Sequence, residues 1–253
     1  MRLQLIRNAT LRLSYAGHEL LFDPCLAPLH SQPSLAGKSL NPTVALPVAP
    51  EDVARNVELA LVSHLHRDHI DLDPPRLPSN LPLLGQPGDT AALRGAGFTN
   101  VTPVDGDCTW NGVHVTRTPG AHGTGKVREA MGEVSGFVLR ADGEPTVYLA
   151  GDTILNEDVL AVLRDVQPDV IVTHSGGAVF MGTTIIMDAE QTVAVANAAP
   201  DATVVAVHLE AFDHMTVTRA ALRDAARQAG LSARLLVPND GEVLVLGRRA
   251  ATA

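Results

Sequence analysis

Cysteine is scarce in this sequence, whose 253 residues include only Cys25 and Cys108. Two cysteines cannot build the disulfide framework that stabilises small secreted proteins, so we expect both to be free thiols. Aromatic residues make up only 3% of the chain, although 45% of all residues are hydrophobic. The chain is therefore long and apolar enough for a substantial core, which we expect to consist mostly of Val, Leu, Ile and Ala.

Positively charged residues are outnumbered by negatively charged ones, and long apolar runs are missing. The chain has 19 Lys and Arg against 28 Asp and Glu, which gives a formal net charge of -9. This balance argues against a nucleic acid partner, because phosphate backbones bind basic surfaces. No run approaches the ~18–20 apolar residues of a membrane span, and the N-terminus lacks the apolar core of a signal peptide. We therefore expect a soluble, cytoplasmic protein without a membrane partner.

The most informative stretch is Ser63–His69, which reads Ser-His-Leu-His-Arg-Asp-His. It follows an apolar run that is typical of a buried strand. Side chains two residues apart on a strand share a face, so His64 and His66 can point the same way. Asp68 and His69 lie beyond the strand, where a turn can direct them to the same point. So dense a group of ligand residues predicts a metal site.

Further candidate ligands each follow another predicted strand. They are His122, Asp152 and His208, which come after the runs 113–117, 146–150 and 203–207. Strand ends converge on one edge of a sheet, where α/β proteins place their ligands, so we expect these side chains to share a cleft.

The order of the predicted elements indicates the fold class. Strands dominate the first half, and helices alternate with strands in the second half. This order suits a four-layer α/β/β/α sandwich, in which two sheets pack face to face with helices outside. No repeat or low-complexity linker divides the chain, so residues 1–253 are expected to form a single domain.

Three segments are predicted to be loops that line the pocket, namely 25–50, 123–133 and 175–187. The first is rich in Pro, Ser and Leu, and a loop of that length is usually functional. Between the strands near 57–62 and 81–84, the stretch 71–75 is expected to form a turn and a short helix.

The run from His64 to His69 matches in full the His-x-His-x-Asp-His signature of the metallo-β-lactamase superfamily, which the sequence resembles over nearly its whole length. Asp23, at a strand end, matches the N-terminal aspartate of that family. The compact length is most similar to the small hydrolase branch that includes the ascorbate-6-phosphate lactonases. The resemblance implies the four-layer fold and a metal-dependent hydrolase.

The same resemblance implies two divalent metal ions. His64, His66 and His122 would hold the first ion, Asp68, His69 and His208 would hold the second, and Asp152 would bridge them. Nitrogen and oxygen ligands suit Zn²⁺ best, and also Mn²⁺ or Fe²⁺. A water bridging two such ions loses a proton near neutral pH and can attack a small ester, lactone, amide or phosphodiester.

Other polar residues are candidates for roles around these ions. Asp68 would also orient the attacking hydroxide, and Asp23 would either hydrogen-bond to a ligand histidine or cap a turn. His174 and His214 are candidate catalytic residues that could protonate a leaving group, or else they are structural. Glu210 is a weaker candidate.

The partner is expected to be a small-molecule substrate, and Lys126 and Arg128 near His122 could meet an anionic one. A homo-oligomer is left open. The main alternative is a mononuclear iron oxidoreductase of the persulfide dioxygenase type, in which Asp68 and His69 would bind no metal. RNA processing and a non-catalytic scaffold are further alternatives, and the acidic composition argues against the former.

Overall fold

The computed structural model describes residues 1–248 and contains two large β-sheets. The first sheet has seven strands, in the spatial order β16 (Val243–Val245), β1 (Arg2–Arg7), β2 (Thr10–Tyr15), β3 (His18–Phe22), β4 (Leu59–Val62), β5 (Leu83–Gly85) and β6 (Val101–Pro103). The second also has seven, in the order β15 (Leu235–Leu236), β14 (Thr203–Val207), β11 (Val170–His174), β10 (Val147–Leu149), β9 (Ser135–Arg140), β8 (Val113–Pro119) and β7 (Asp107–Trp110). A small hairpin pairs β12 (Val179–Phe180) with β13 (Thr183–Thr184).

Helices accompany both sheets. They are α1 (Pro50–Ala54), α2 (Thr90–Gly95), α3 (Gly125–Met131), α4 (Glu157–Val166), α5 (Ala189–Ala198) and α6 (Arg219–Gln228), with a 3₁₀ turn at Pro87–Asp89. The last three helices begin at residues whose side chains accept a backbone N–H of the first turn, Asn156, Asp188 and Thr218. Such N-caps satisfy backbone donors that a helix start leaves free. None of the helices within residues 1–248 is long and apolar enough to cross a membrane.

Three apolar layers give the four-layer sandwich. The central layer lies between the two sheets and includes Leu13 and Phe22 from one sheet and Phe137 and Leu149 from the other. Helices α4 to α6 cover the outer face of the second sheet, and α1 and α2 cover that of the first. Aliphatic side chains dominate all three layers, as the composition predicted, and the sandwich architecture is confirmed.

The parallel strands determine which edge of the sandwich brings the candidate ligand residues together. In the first sheet β3, β4, β5 and β6 run parallel, and in the second sheet β10, β11, β14 and β15 do. The carboxyl ends of parallel strands meet at one edge, so the residues that follow β3, β4, β10, β11 and β14 are brought together there.

Two local predictions differ from the structure. Residues 71–75 contain the expected turn, closed by an isolated bridge between Leu72 and Pro75, but no helix. Prolines at 74 and 75 disfavour helical backbone angles in the residue before each of them, which explains the difference. The segment 123–133 was predicted to be a loop but contains α3. The glycines around α3 hid its helical pattern.

The long loop is confirmed. Between Phe22 and Pro50 the structure has no helix and no extended strand, only a bridge that pairs Gln32 with Asn41. Cys25 and Cys108 are both free thiols, as expected.

Candidate metal centre

Two clusters of ligand residues form at the edge where the parallel strands end. The first cluster consists of His64, His66 and His122, and the second of His69, Asp152, His174 and His208. Within each cluster, the nitrogen or oxygen atoms that could bind a metal all lie within 4.8 Å of one another. His64, His66 and His69 follow β4 of the first sheet, whereas the other members follow or end strands of the second. The centre therefore joins the two sheets.

Asp152 lies between the two clusters. Its Oδ2 atom is 3.6 Å from His122 Nε2 and 3.9 Å from His64 Nε2 in the first cluster. The same oxygen is 3.2 Å from His69 Nε2, and Oδ1 is 3.5 Å from His208 Nε2 in the second. This carboxylate is buried and can contact a cation in either cluster.

Hydrogen bonds orient the histidines of the first cluster. His122 donates from Nδ1 to the carbonyl oxygen of Ile185 at 2.8 Å. His64 donates from Nδ1 to Ser63 Oγ at 2.9 Å, and this hydroxyl donates in turn to Asp23 Oδ2 at 2.7 Å. Because each Nδ1 carries its hydrogen, Nε2 of both rings keeps a lone pair that faces the centre.

The second cluster is held in a similar way. His69 donates from Nδ1 to Asp23 Oδ2 at 2.7 Å, so its Nε2 is free to face Asp152. His174 donates from Nδ1 to Asp152 Oδ1 at 2.7 Å and thereby fixes the position of that carboxylate. His174 thus contacts Asp152 directly and is buried.

Asp68 lies beside the second cluster. Its Oδ2 lies 3.2 Å from His208 Nε2 and 3.8 Å from His69 Nε2, and His214 Nε2 is 3.6 Å away. Asn8 connects the two chain segments involved, because its carbonyl accepts the His208 backbone N–H at 2.8 Å and its Nδ2 donates to the Asp68 carbonyl at 3.2 Å. His208 has a φ of 62°, a left-handed conformation that this hydrogen bond helps to stabilise.

Burial and charge together set the protonation of the centre. Burial alone would raise the pKa of Asp152, but His69 and His208 outweigh it and hold that pKa well below the usual value. Burial, together with the neighbouring His69, lowers the pKa of His64 well below its usual value, which favours the neutral ring. Burial also opposes charge on His69, but neighbouring carboxylates, Asp152 foremost, raise its pKa well above the usual value. A cation bound beside these carboxylates would replace the proton on His69.

The donor set fits divalent metal ions. Buried imidazole rings face the carboxylates of Asp68 and Asp152, and His208 Nε2 and His69 Nε2 are only 3.0 Å apart. This combination of nitrogen and oxygen ligands is typical of zinc, and also of manganese or iron.

The structure brings together all seven predicted ligands and both candidate histidines, His174 and His214. Other candidates lie elsewhere. Glu210 forms an ion pair with Arg219 at 2.7 Å, and Arg128 donates to the carbonyl of Gly120, while Lys126 is exposed.

Sequence reasoning missed Ser63, Asn8 and Gly176. A Cβ atom on Gly176 would lie 2.4 Å from the His208 carbonyl oxygen, so only glycine fits there. The Ser-Gly-Gly turn after His174 was a signal for this close approach, whereas Ser63 and Asn8 match no motif.

Comparison with known proteins places the chain in a family. A model of the beta-lactamase superfamily domain matches residues 18–209. The UPF0173 protein YddR of Bacillus subtilis (strain 168) is 34% identical over 250 residues, which cover 96% of this chain and 98% of YddR.

Two solved structures are similar over almost the whole chain. A "possible metal-dependent hydrolase" from Veillonella parvula DSM 2008 superposes with a TM-score of 0.93 at 30% identity, covering 97% of this chain and 99% of that one. An isothiocyanate hydrolase from Delia radicum gut bacteria superposes with a TM-score of 0.92 at 33% identity, covering 98% and 100%. The sequence and the fold agree with these relatives, and the chain belongs to the beta-lactamase superfamily as a metal-dependent hydrolase of the UPF0173 group.

Proposed function

We propose that this hydrolase works with two divalent metal ions, Zn²⁺ or else Mn²⁺ or Fe²⁺. One ion would be held by His64, His66 and His122, and the other by Asp68, His69 and His208. The observation that carries this proposal is the position of Asp152, whose carboxylate lies 3.2–3.9 Å from histidine nitrogens of both clusters. A carboxylate so placed can bridge two cations.

Two ions held by these residues would lower the pKa of a water molecule and polarise the substrate atom under attack. The protein's own groups would do the rest. Asp68 would accept a hydrogen bond from the attacking water and so orient it. His214, whose Nε2 is 3.6 Å from Asp68 Oδ2, would deliver a proton to the leaving atom. His174 would hold Asp152 in place through their 2.7 Å hydrogen bond.

The alternative of a mononuclear iron oxidoreductase has less support. It requires Asp68 and His69 to bind no metal. Both residues are buried, and His69 Nε2 faces Asp152 and His208 Nε2 at 3.2 Å and 3.0 Å. The second set of ligands is therefore assembled as closely as the first, which favours two ions.

The substrate is proposed to be a small molecule with one electrophilic carbon or phosphorus. Esters, lactones, amides and phosphodiesters are candidates, and the resemblance to ascorbate-6-phosphate lactonases stays a prediction. An isothiocyanate is the first substrate to test, because the isothiocyanate hydrolase is 33% identical over 98% of this chain.

The water oxygen would bond to the central carbon of the isothiocyanate, and the bond between that carbon and nitrogen would break. The nitrogen would take both water hydrogens, so R–N=C=S and H₂O would give R–NH₂ and COS.

An activity screen tests the proposal. Protein loaded separately with Zn²⁺ and Mn²⁺ is incubated with isothiocyanates, lactones, esters, amides and phosphodiesters, and amine, acid or alcohol release is measured. We expect hydrolysis of at least one class, and His214→Gln should lower kcat by about 10²-fold while metal content stays unchanged. A His114→Gln variant, on β8 away from the clusters, is the matched control. A fully metal-loaded protein that hydrolyses none of these classes would refute the proposal.

A further inference from the structure

Two histidines at the metal centre reach solvent. His66 is half-buried and the His214 side chain is 16% exposed, whereas the other six proposed ligand residues are buried. The approach to the centre is therefore taken to lie at these two side chains. Two chain segments attach next to them, the long loop (residues 25–49) and the β12–β13 hairpin (residues 178–185).

The hairpin is fixed to the first cluster. Its residue Ile185 accepts the hydrogen bond from His122 Nδ1, and the Ile185 backbone N–H donates to the Ala178 carbonyl at 2.9 Å. The rings of His122 and His66 have centroids 5.1 Å apart. The hairpin therefore stands beside the His66 end of the opening.

The long loop is fixed to the other end. Asp213, next to His214 in the chain, accepts hydrogen bonds from loop groups that include the Leu35 N–H and Asn41 Nδ2. The loop also reaches the metal motif, since Gln32 Nε2 donates to the Arg67 carbonyl at 3.1 Å.

Met215 connects the bases of the two segments. It packs against the buried cluster that contains Cys25 and Phe212, under the loop, and against the buried cluster that contains Ile186, under the hairpin. The loop and the hairpin therefore belong to one rim around the opening.

This rim collects most of the exposed apolar side chains. Within residues 1–248 nine large hydrophobic side chains are exposed, and seven of them lie on the two segments. The seven are Leu29, Leu35, Leu40, Val48, Val179, Phe180 and Met181. Single exposed apolar residues are ordinary, but a concentration beside a site marks a binding surface. Met181, at the hairpin tip, is 83% exposed.

We propose that the apolar rim binds an uncharged, apolar tail of the substrate and so selects neutral electrophiles over anionic ones. This inference rests on the proposed hydrolase function and adds the substrate class to it. The tail would cover Phe180 and Met181 while its reactive carbon reaches the metal centre between His66 and His214. The excess of acidic residues agrees with a neutral substrate, since a net charge of -9 does not attract anions.

A matched pair of substrates tests the tail preference. 2-Phenylethyl isothiocyanate and its para-carboxylate differ by one negative charge on the tail. We expect Phe180→Ser and Met181→Ser to raise KM for the uncharged compound by about 5- to 30-fold, since each removes part of a contact worth 1–2 kcal/mol. The kcat, the metal content and KM for the carboxylate should change less than about twofold. Val245→Ser, which removes an equally exposed side chain (81%) from β16, is the control.

A binding measurement separates this inference from the hydrolase proposal. Calorimetry with N-(2-phenylethyl)urea and its para-carboxylate, after an amine-release assay has shown that neither is hydrolysed, reports the tail preference without turnover. Weaker binding of the uncharged urea by both hairpin variants, but not by Val245→Ser, would support binding of the apolar tail at the rim. This result would hold even if the isothiocyanates are not hydrolysed. Equal binding by all variants would overturn it. A change from dimer to monomer in the hairpin variants, with KM and urea binding unchanged, would also overturn it, because the rim would then contact a second copy.

Discussion

The carboxylate of Asp23 orients one histidine in each cluster. It accepts the Nδ1 hydrogen of His69 directly, and it accepts the Ser63 hydroxyl that in turn holds His64. Its other oxygen accepts the Ser63 backbone N–H at 2.7 Å. One buried side chain therefore sets ring orientation and tautomer on both sides of the centre.

Replacing Asp23 by Asn should weaken metal binding. An Asn amide has only one acceptor oxygen, and its NH₂ group would oppose the Nδ1 hydrogen of His69. We expect Asp23→Asn to lower metal affinity by about 10- to 100-fold, as outer-sphere changes commonly do. Competition with a chromogenic chelator measures this, and Asp105→Asn, an exposed carboxylate on the surface, is the control. Wild-type affinity in Asp23→Asn would show that Asp23 only caps a turn.

At the scale of single residues, the sequence predicted which candidate ligands would lie close together better than it predicted the groups that orient them. His64 to His69 share one short motif, and His122, Asp152 and His208 each follow a recognisable strand. Asn8 could not be found this way, because its carbonyl and its side-chain amide bind backbone groups of distant segments and its φ of 59° is left-handed. The carbonyl of Ile185 is equally hidden, since its direction depends on the hairpin and not on the type of side chain.

At the scale of elements, the long loop depends on one distant carboxylate. Asp213 accepts hydrogen bonds from Ser34 Oγ, from Asn41 Nδ2 and from backbone N–H groups of the loop between them. Burial would raise the Asp213 pKa, but these donors outweigh it and lower that pKa below the usual range.

Asp213→Asn should therefore destabilise the loop in a pH-dependent way. A carboxyl group whose folded pKa is depressed stabilises the protein above its unfolded pKa, near 4. We expect wild type to exceed Asp213→Asn in free energy of unfolding by about 2 kcal/mol at pH 7, with the difference shrinking as the pH falls below about 4. Urea unfolding at pH 7 and pH 3 measures it. A difference that stays constant over this range would contradict the role assigned to the ionised carboxylate.

The sequence predicted that this loop exists and is long, but not what holds it. Asp213 lies more than 170 residues from the groups that it binds, and no local pattern encodes such a contact. The β12–β13 hairpin is similar, because its strands of two residues are too short to show alternation.

At the scale of the whole molecule, the metal centre connects the two sheets, since its ligands follow strands of both. Metal bound only to the folded state stabilises it by about 2.7 kcal/mol per site at a free concentration 100 times Kd. We expect calorimetry to show one unfolding transition, as a single domain would give. The Tm of this transition should fall when a chelator removes metal, and this decrease in Tm should be smaller for Asp152→Asn than for wild type. Two separate transitions, or a Tm unaffected by the chelator, would contradict this.

The number of metal ions per chain tests the dinuclear hydrolase most directly. Elemental analysis of protein purified from metal-replete cells should give close to two divalent ions per chain, and Asp152→Ala should lose at least one of them together with activity. A single iron ion per chain, with oxygen consumed on a thiol substrate, would contradict the account. So would an Asp152→Ala variant that retains both ions and the wild-type rate.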